Sequence, residues 1–177
     1  MSTDQDPLAD GGGGQTDDGF VPAPSFIVRA GEGEGVGLGR IVLPGGPSGG
    51  LFSLLEITGR PGVTVPAHLH RDADEVFFML EGELIVRTAE GEATIRPGDA
   101  AFVPRGAWHA QRNLGVGAVR WLTLFSPAGM EGYFAERAHL VLAARAAGGD
   151  GPRDYAGIDP DVHTELRRRF GIVITDD

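Results

Sequence analysis

The chain has 177 residues, enough for one domain with a sizeable core, and 41% of them are hydrophobic against 23% charged. It contains no cysteine and no lysine, all fifteen basic residues being arginine, which excludes disulfides, thiolate ligands, a cysteine nucleophile and Schiff-base chemistry. A formal net charge of −10 argues against nucleic acid and anionic membranes as partners, no apolar run reaches the length of a membrane span, and no secretory signal is visible, so a cytoplasmic protein is expected.

Residues 1–20 hold five aspartates, no basic residue and the run Gly11–Gly14, and are expected to form a disordered acidic, glycine-rich tail. Residues 21–128 form the predicted β domain, and residues 129–177 a helical extension packed on it. The β domain shows short apolar runs separated by Gly and Pro. These runs are Phe26–Arg29, Gly39–Leu43, Leu51–Thr58, Val63–His68, Glu75–Leu80, Leu84–Thr88, Ala93–Ile95, Ala100–Val103, His109–Asn113 and Ala118–Phe125. Glu81-Gly82, Glu90-Gly91 and Pro97-Gly98-Asp99 read as turns between them. Many short strands at regular spacing imply a sandwich or a barrel.

Two helices follow. The first spans about Glu131 to Ala146, with Phe134, Ala138, Val141 and Leu142 on one face. The second runs from Pro160 to Phe170, with Asp159 as N-cap, Pro160 at the first helical position and Gly171 as the stop. Arg167, Arg168 and Arg169 in its last turn complement the helix dipole. His139 and His163 on these helices are expected to face solvent.

The chemistry concentrates in the β domain. His68-Leu69-His70 places two imidazoles at i and i+2 of a strand, hence on one side. Glu75 opens the next strand and can return its carboxylate to the same point. Two histidines and one carboxylate suit a divalent first-row metal with open positions, and His109 can complete the set from a neighbouring strand. Strand parity adds pocket candidates: Phe77 and Met79 share a face with Glu75, and Gln111 shares one with His109. Phe52, Trp121, Thr123 and Phe125 are further candidates on strands whose two faces are both apolar.

Residues 62–82 run Gly62, five residues, His68-x-His70, four residues, Glu75, six residues, Gly82. Residues 98–113 run Gly98, five residues, Pro104-x-Gly106, two residues, His109, three residues, Asn113. The two stretches resemble the two cupin motifs at every fixed position, and the resemblance extends over residues 36–126. It implies an all-β fold, the double-stranded β-helix or cupin jelly-roll barrel, followed here by C-terminal α-helices. It also implies one divalent transition metal (Fe, Mn, Ni, Co or Zn) on His68, His70, Glu75 and His109. Cupins of this size commonly pair through their sheets, so a homodimer is expected, with Phe26–Arg29 a candidate for strand exchange.

A looser resemblance in the C-terminal part is to quercetinase-like cupins. It rests on Phe125-Ser126-Pro127, Gly129, Glu131, Phe134, the Asp-Pro helix and Phe170-Gly171-Ile172. It implies a dioxygenase acting with O2 on an aromatic or enolic small molecule, with Glu75 as both ligand and catalytic base. Two other readings stay open. One is a metal-dependent cyclase, isomerase or decarboxylase of secondary metabolism that uses no oxygen; the other is a non-catalytic cupin that binds a small molecule.

Overall fold

Alternation of buried and exposed residues along successive strands dictates the architecture. Ser53–Gly59 and Val119–Ser126 bury every second side chain, the period of a strand with one face on a core. The computed structural model describes residues 25–146 and 158–175. In chain order its elements are β1 (Glu34–Gly35), β2 (Gly39–Leu43), β3 (Ser53–Gly59), β4 (Thr64–His70), β5 (Asp74–Glu81), β6 (Leu84–Thr88) and β7 (Gly91–Ile95). There follow β8 (Ala100–Val103), β9 (His109–Arg112), β10 (Val119–Ser126), α1 (Met130–Ala146), α2 (Pro160–Arg169) and β11 (Ile172–Ile174). The strands form a six-stranded sheet ordered β1-β2-β3-β10-β5-β8 and a five-stranded sheet ordered β11-β4-β9-β6-β7. Every pairing is antiparallel. Leu55, Ile57, Phe77, Met79, Trp121 and Phe125 of the first sheet share one core with Leu84, Val86 and Ile95 of the second, the double-stranded β-helix the resemblance implied.

The helices close one part of this barrel. Glu131, in the first turn of α1, accepts the backbone N–H groups of Gly45 (3.0 Å) and Gly129 (2.7 Å), which ties the helix to the loop after β2. Met130, Tyr133 and Ala138 of α1 and Leu166 of α2 join the barrel core. Asp159 caps α2 as expected, accepting from the N–H groups of Asp161 and Val162. Arg169 of α2 pairs with Glu136 of α1 at 2.9 Å. No helix among the described residues is long and apolar enough to cross a membrane.

Several expectations need correction. Residues Phe26–Arg29 pair with no strand, and Phe26 and Ile27 are exposed; the edge of the sheet is instead the two-residue β1. Two short strands, β1 and β11, escaped the sequence reading because two or three residues carry no measurable periodicity. Leu142 is exposed, and Tyr133 and Arg137 take buried places on α1 instead. His139 is exposed as expected, but His163 is half-buried, its Nε2 3.1 Å from the Tyr133 hydroxyl. The expected tail at residues 1–20 lies outside the described residues.

Burial, reinforced by the charges of Arg167 and Arg137, lowers the His163 pKa from 6.5 to about 4. The ring therefore stays neutral in the folded state, whereas the unfolded chain takes up its proton below pH 6.5. The contribution of this contact to stability is complete above pH 6.5 and declines as the pH falls toward 4. In an NMR pH series the His163 imidazole is expected to titrate near pH 4; a midpoint above 6 would contradict the buried, Tyr133-stacked placement.

Turn glycines divide by their surroundings. Gly82 and Gly98 both have left-handed backbones, φ +76° and +92°. A Cβ on Gly82 would lie 2.7 Å from Val119 Cγ1, whereas one on Gly98 would meet nothing within 4 Å. Gly98→Ala should cost about 1–2 kcal/mol of unfolding free energy from backbone strain alone. Gly82→Ala should cost about 2–5 kcal/mol, since overpacking adds to the same strain. Urea denaturation of the two variants measures the difference.

Candidate metal centre

Four side chains meet inside the barrel from both sheets. His68 and His70 come from β4 and His109 from β9 of the five-stranded sheet, where His68 and His109 are register partners. Glu75 comes from β5 of the six-stranded sheet, after the short turn that carries the chain across. The i, i+2 spacing of the β4 histidines puts both rings on the inner face, as expected. All four residues are buried, and their donor atoms lie within 4.8 Å of one another. Bonds of about 2.1 Å to a single ion put opposed donors about 4.2 Å apart, so the cluster needs only small side-chain adjustments to hold one.

Neighbouring segments hold this geometry. The Arg105 backbone N–H and guanidinium grip Asp74, the residue before Glu75, at 2.8–3.0 Å. Those Arg105 bonds hold the Asp74 carboxyl at about 2. The Gly106 N–H donates to the His70 carbonyl at 2.7 Å. The loop that delivers His109 is thereby pinned to both strands that carry the other ligands. Asn113, fully buried, donates its side-chain amide to the carbonyls of Arg60 (3.1 Å) and Gly117 (2.8 Å), clamping the opposite end of β9. The fixed Asn and Gly of the sequence motifs thus maintain the fold.

Hydrogen bonding prepares the rings as ligands. Nδ1 of His68 lies 2.9 Å from the Pro66 carbonyl, and Nδ1 of His109 lies 3.2 Å from the Ala107 carbonyl. A carbonyl only accepts, so each Nδ1 carries the proton and each Nε2 of a neutral ring presents a lone pair. Nε2 of His109 faces Glu75 Oε2 at 2.9 Å, and Nε2 of His70 faces the same oxygen at 3.1 Å. A neutral His109 would set a lone pair against a carboxylate lone pair, an arrangement that only a proton or a cation between them relieves. The donor set therefore fits a bound divalent ion. His70 is the loosest member, since its buried Nδ1 has no hydrogen-bond partner; the edge of Phe125, 5.4 Å away, packs against its ring.

Protonation states suit the same role. Burial, followed by the repulsion of His109, pushes His68 down to about 4, so its ring is neutral at physiological pH. Burial alone would raise Glu75, but hydrogen bonds from His109 and His70 outweigh it and hold the carboxyl at about 2. Glu75 is therefore ionised.

The cluster opens on a cavity of about 100 Å3. Phe77 and Gln111, singled out by strand parity, line it, and so do Trp121, Thr123 and Phe125 of β10, a strand apolar on both faces. Two expected pocket residues do not. Phe52 is exposed, because it precedes β3 with a parity opposite to buried Ser53 and Leu55. Met79 is on the predicted face but lies deeper in the core, away from the cavity. Sequence reasoning missed Val36, Val63, Val65, Phe134 and Arg137, which also line it. Phe134 and Arg137 belong to a helix, and no strand parity reaches them.

Two facing antiparallel sheets around a buried three-histidine, one-glutamate cluster define a β-barrel protein with the makings of a metal site. The family model for the cupin domain matches residues 56–125, the stretch that carries all four residues of the cluster. It is 34% identical over 92 residues to quercetin 2,3-dioxygenase of Bacillus subtilis (strain 168), covering 49% of this chain and 27% of that protein. It is 32% identical over 82 residues to the tetracenomycin polyketide synthase protein TcmJ of Streptomyces glaucescens, covering 46% of this chain and 54% of the relative. Among solved structures it is similar to TT1209 from Thermus thermophilus, with 36% identity, a TM-score of 0.42, and coverage of 44% of this chain and 74% of that one. The chain thus spans between about a quarter and about half of the length of these two curated relatives.

Elemental analysis after reconstitution is expected to find one divalent ion per chain. Replacing His109 by Ala should weaken metal affinity by at least about a hundredfold, since even outer partners of a ligand are worth ~10–100-fold. Competition with a chromogenic chelator measures it; an unchanged affinity would remove His109 from the set.

Proposed function

We propose that this protein is a metal-dependent enzyme acting on a small enolic or aromatic compound, with dioxygen as the second reactant. The observation that carries the reading is the placement of Glu75, an ionised carboxylate, 5% exposed, amid three imidazoles on the wall of a largely apolar cavity. A divalent ion held by His68, His70, Glu75 and His109 would supply Lewis-acid polarisation and, for a redox-capable metal, electron transfer. Glu75 accepts the hydroxyl proton of the enol or phenol. The hydrogen bonds that make it so weak a base need protons on the His70 and His109 Nε2 atoms. Those protons are absent once the ring nitrogens bind an ion; burial then favours the protonated carboxyl, while the charge of the ion opposes it.

Phe77, Trp121, Phe125, Val63 and Val65 exclude water, which strengthens every electrostatic interaction inside the cavity. Thr123 Oγ1 accepts from Trp121 Nε1 at 2.8 Å, so its own proton remains to orient a substrate oxygen. The similarity to quercetin 2,3-dioxygenase supports the oxygen-dependent branch.

The cavity volume favours a second reading, a cyclase, isomerase or decarboxylase that uses no oxygen. Pockets for drug-sized ligands span roughly 300–1,000 Å3. At about 100 Å3 the cavity as it stands suits a small enol or β-dicarbonyl rather than a three-ring flavonol. In that reading Glu75 moves a proton between carbon and oxygen of an enolate.

The test is oxygen consumption by the reconstituted chain with a panel of flavonols, enols and β-dicarbonyls, repeated under strict anaerobiosis. Substrate-dependent uptake supports the dioxygenase, and anaerobic turnover transfers the proposal to the second reading. In either, Glu75→Gln with its metal content verified should lower kcat by about a hundredfold or more. Turnover at the wild-type rate would end the assignment of Glu75 as base.

A further inference from the structure

We propose that the side-chain amide of Gln111 is the second recognition group of this cavity, so that the ligand carries a neutral hydroxyl or carbonyl about 7 Å, one strand repeat, from the enolic end that meets the cluster. The inference rests on the reading of the cluster as a metal enzyme's site and narrows its substrate class.

Gln111 is 4% exposed and lines the cavity, yet its side-chain amide makes no hydrogen bond among the described residues. A buried polar group is nearly always bonded, so an unpaired one calls for a reason. The strand explains the lack of a partner. His109, Gln111 and Asn113 follow one another at every second position and share the inward face. The register partners of Gln111 are Val65 on β4 and Val86 on β6, whose side chains cannot bond to an amide. Asn113 makes the contrast. Its amide donates to the carbonyls of Arg60 and Gly117, and its oxygen accepts the Gly115 N–H at 3.0 Å, so it serves the fold. Gln111 has no such task. Nor is its amide sealed away from all open space without a partner, as Nδ1 of His70 is. It therefore borders open space, and that space is the cavity.

Position links Gln111 to the chemistry. Residues i and i+2 of a strand stand about 7 Å apart on one face, so Gln111 lies one repeat beyond His109, whose Nε2 faces Glu75 Oε2 at 2.9 Å. A compound whose enolic end meets the cluster extends along β9 toward the amide. Phe77 and Trp121 line the same volume, and Trp121 already spends its one donor on Thr123. The amide offers two N–H donors and a carbonyl acceptor. A ligand carbonyl takes the donors, and a hydroxyl, itself donor and acceptor, satisfies either side. Because the amide is neutral, it suits a neutral polar group, which enters an apolar cavity without the desolvation cost of a charge. A methyl at the same place leaves the amide unpaired, and sites that bond a ligand hydroxyl reject the analogue lacking it.

The experiment compares kojic acid with allomaltol, two small hydroxypyranones that chelate through the same enolone. They differ only across the ring, where kojic acid has a hydroxymethyl group and allomaltol a methyl. Isothermal titration calorimetry on the full chain loaded with Zn(II), a redox-inert ion, gives the ratio of their affinities. Wild-type protein is expected to bind kojic acid at least about fivefold more tightly, the worth of one neutral hydrogen bond. Gln111→Met, close in volume and without an amide, should bring the ratio to about one or below. It should also leave the urea midpoint unchanged or higher, because the folded chain loses no bond. In isotope-labelled wild-type protein the Gln111 side-chain amide resonances should shift with kojic acid and much less with allomaltol. A wild-type ratio of one, no binding of either probe to the loaded chain, a ratio unchanged in folded Gln111→Met, a lowered urea midpoint in that variant, or unmoved Gln111 resonances would each overturn the proposal. A Gln111-dependent preference for kojic acid in a chain that takes up no metal would retain the recognition group and remove the metal-enzyme reading. An active, metal-loaded enzyme with equal affinity for the two probes would remove the recognition group alone.

Discussion

The structure depends on how one buried carboxylate is compensated. Glu75 sits in the barrel interior, where an isolated ionised group would cost several kcal/mol or more. Its remedy is three imidazoles brought from the opposite sheet, two within 3.1 Å of one of its oxygens. That requirement reaches outward. The Arg105–Asp74 grip and the Gly106–His70 bond hold the strand ends at the separation the cluster needs, and the Pro66 and Ala107 carbonyls orient two rings. Proton or cation, something positive must occupy the centre, and the lone-pair geometry of His109 suits a cation.

The remainder of the cavity has a contrasting character. Its walls are mostly aliphatic and aromatic side chains, which make a largely apolar volume of about 100 Å3 where polar groups act strongly. A bound divalent ion would cancel the charge of Glu75 with a unit to spare. Cavity size would restrict a ligand more than the four-residue set does, because one fold and site can serve many reactions.

The strand pattern was legible because half-buried strands alternate with period 2. Gly39–Leu43, Leu84–Thr88 and Ala100–Val103 appear with the predicted bounds. Errors fall where that signal is absent or shared. Phe52 precedes its strand, so apolar character alone suggested a pocket role that its parity denies. Phe26–Arg29 has the composition of a strand but pairs with none. On α1 the apolar residues ring the helix broadly, so Leu142 was drawn to the buried face while the aromatic contacts of Arg137 went unseen.

The sequence by itself determined the cluster and the fold class. The spacing of His68, His70, Glu75 and His109 is a local property: i, i+2 on a strand fixes a face, and Gly and Pro fix the turns that return the next strand. Only the tertiary structure decided what closes the barrel. The placement of α1 over the cavity, the entry of Phe134 and Arg137 into its wall, the burial of His163 against Tyr133 and the return of β11 beside β4 all arise from contacts distant in sequence. No periodicity encodes such contacts, since they follow from which surfaces remain to be covered once the sheets have formed.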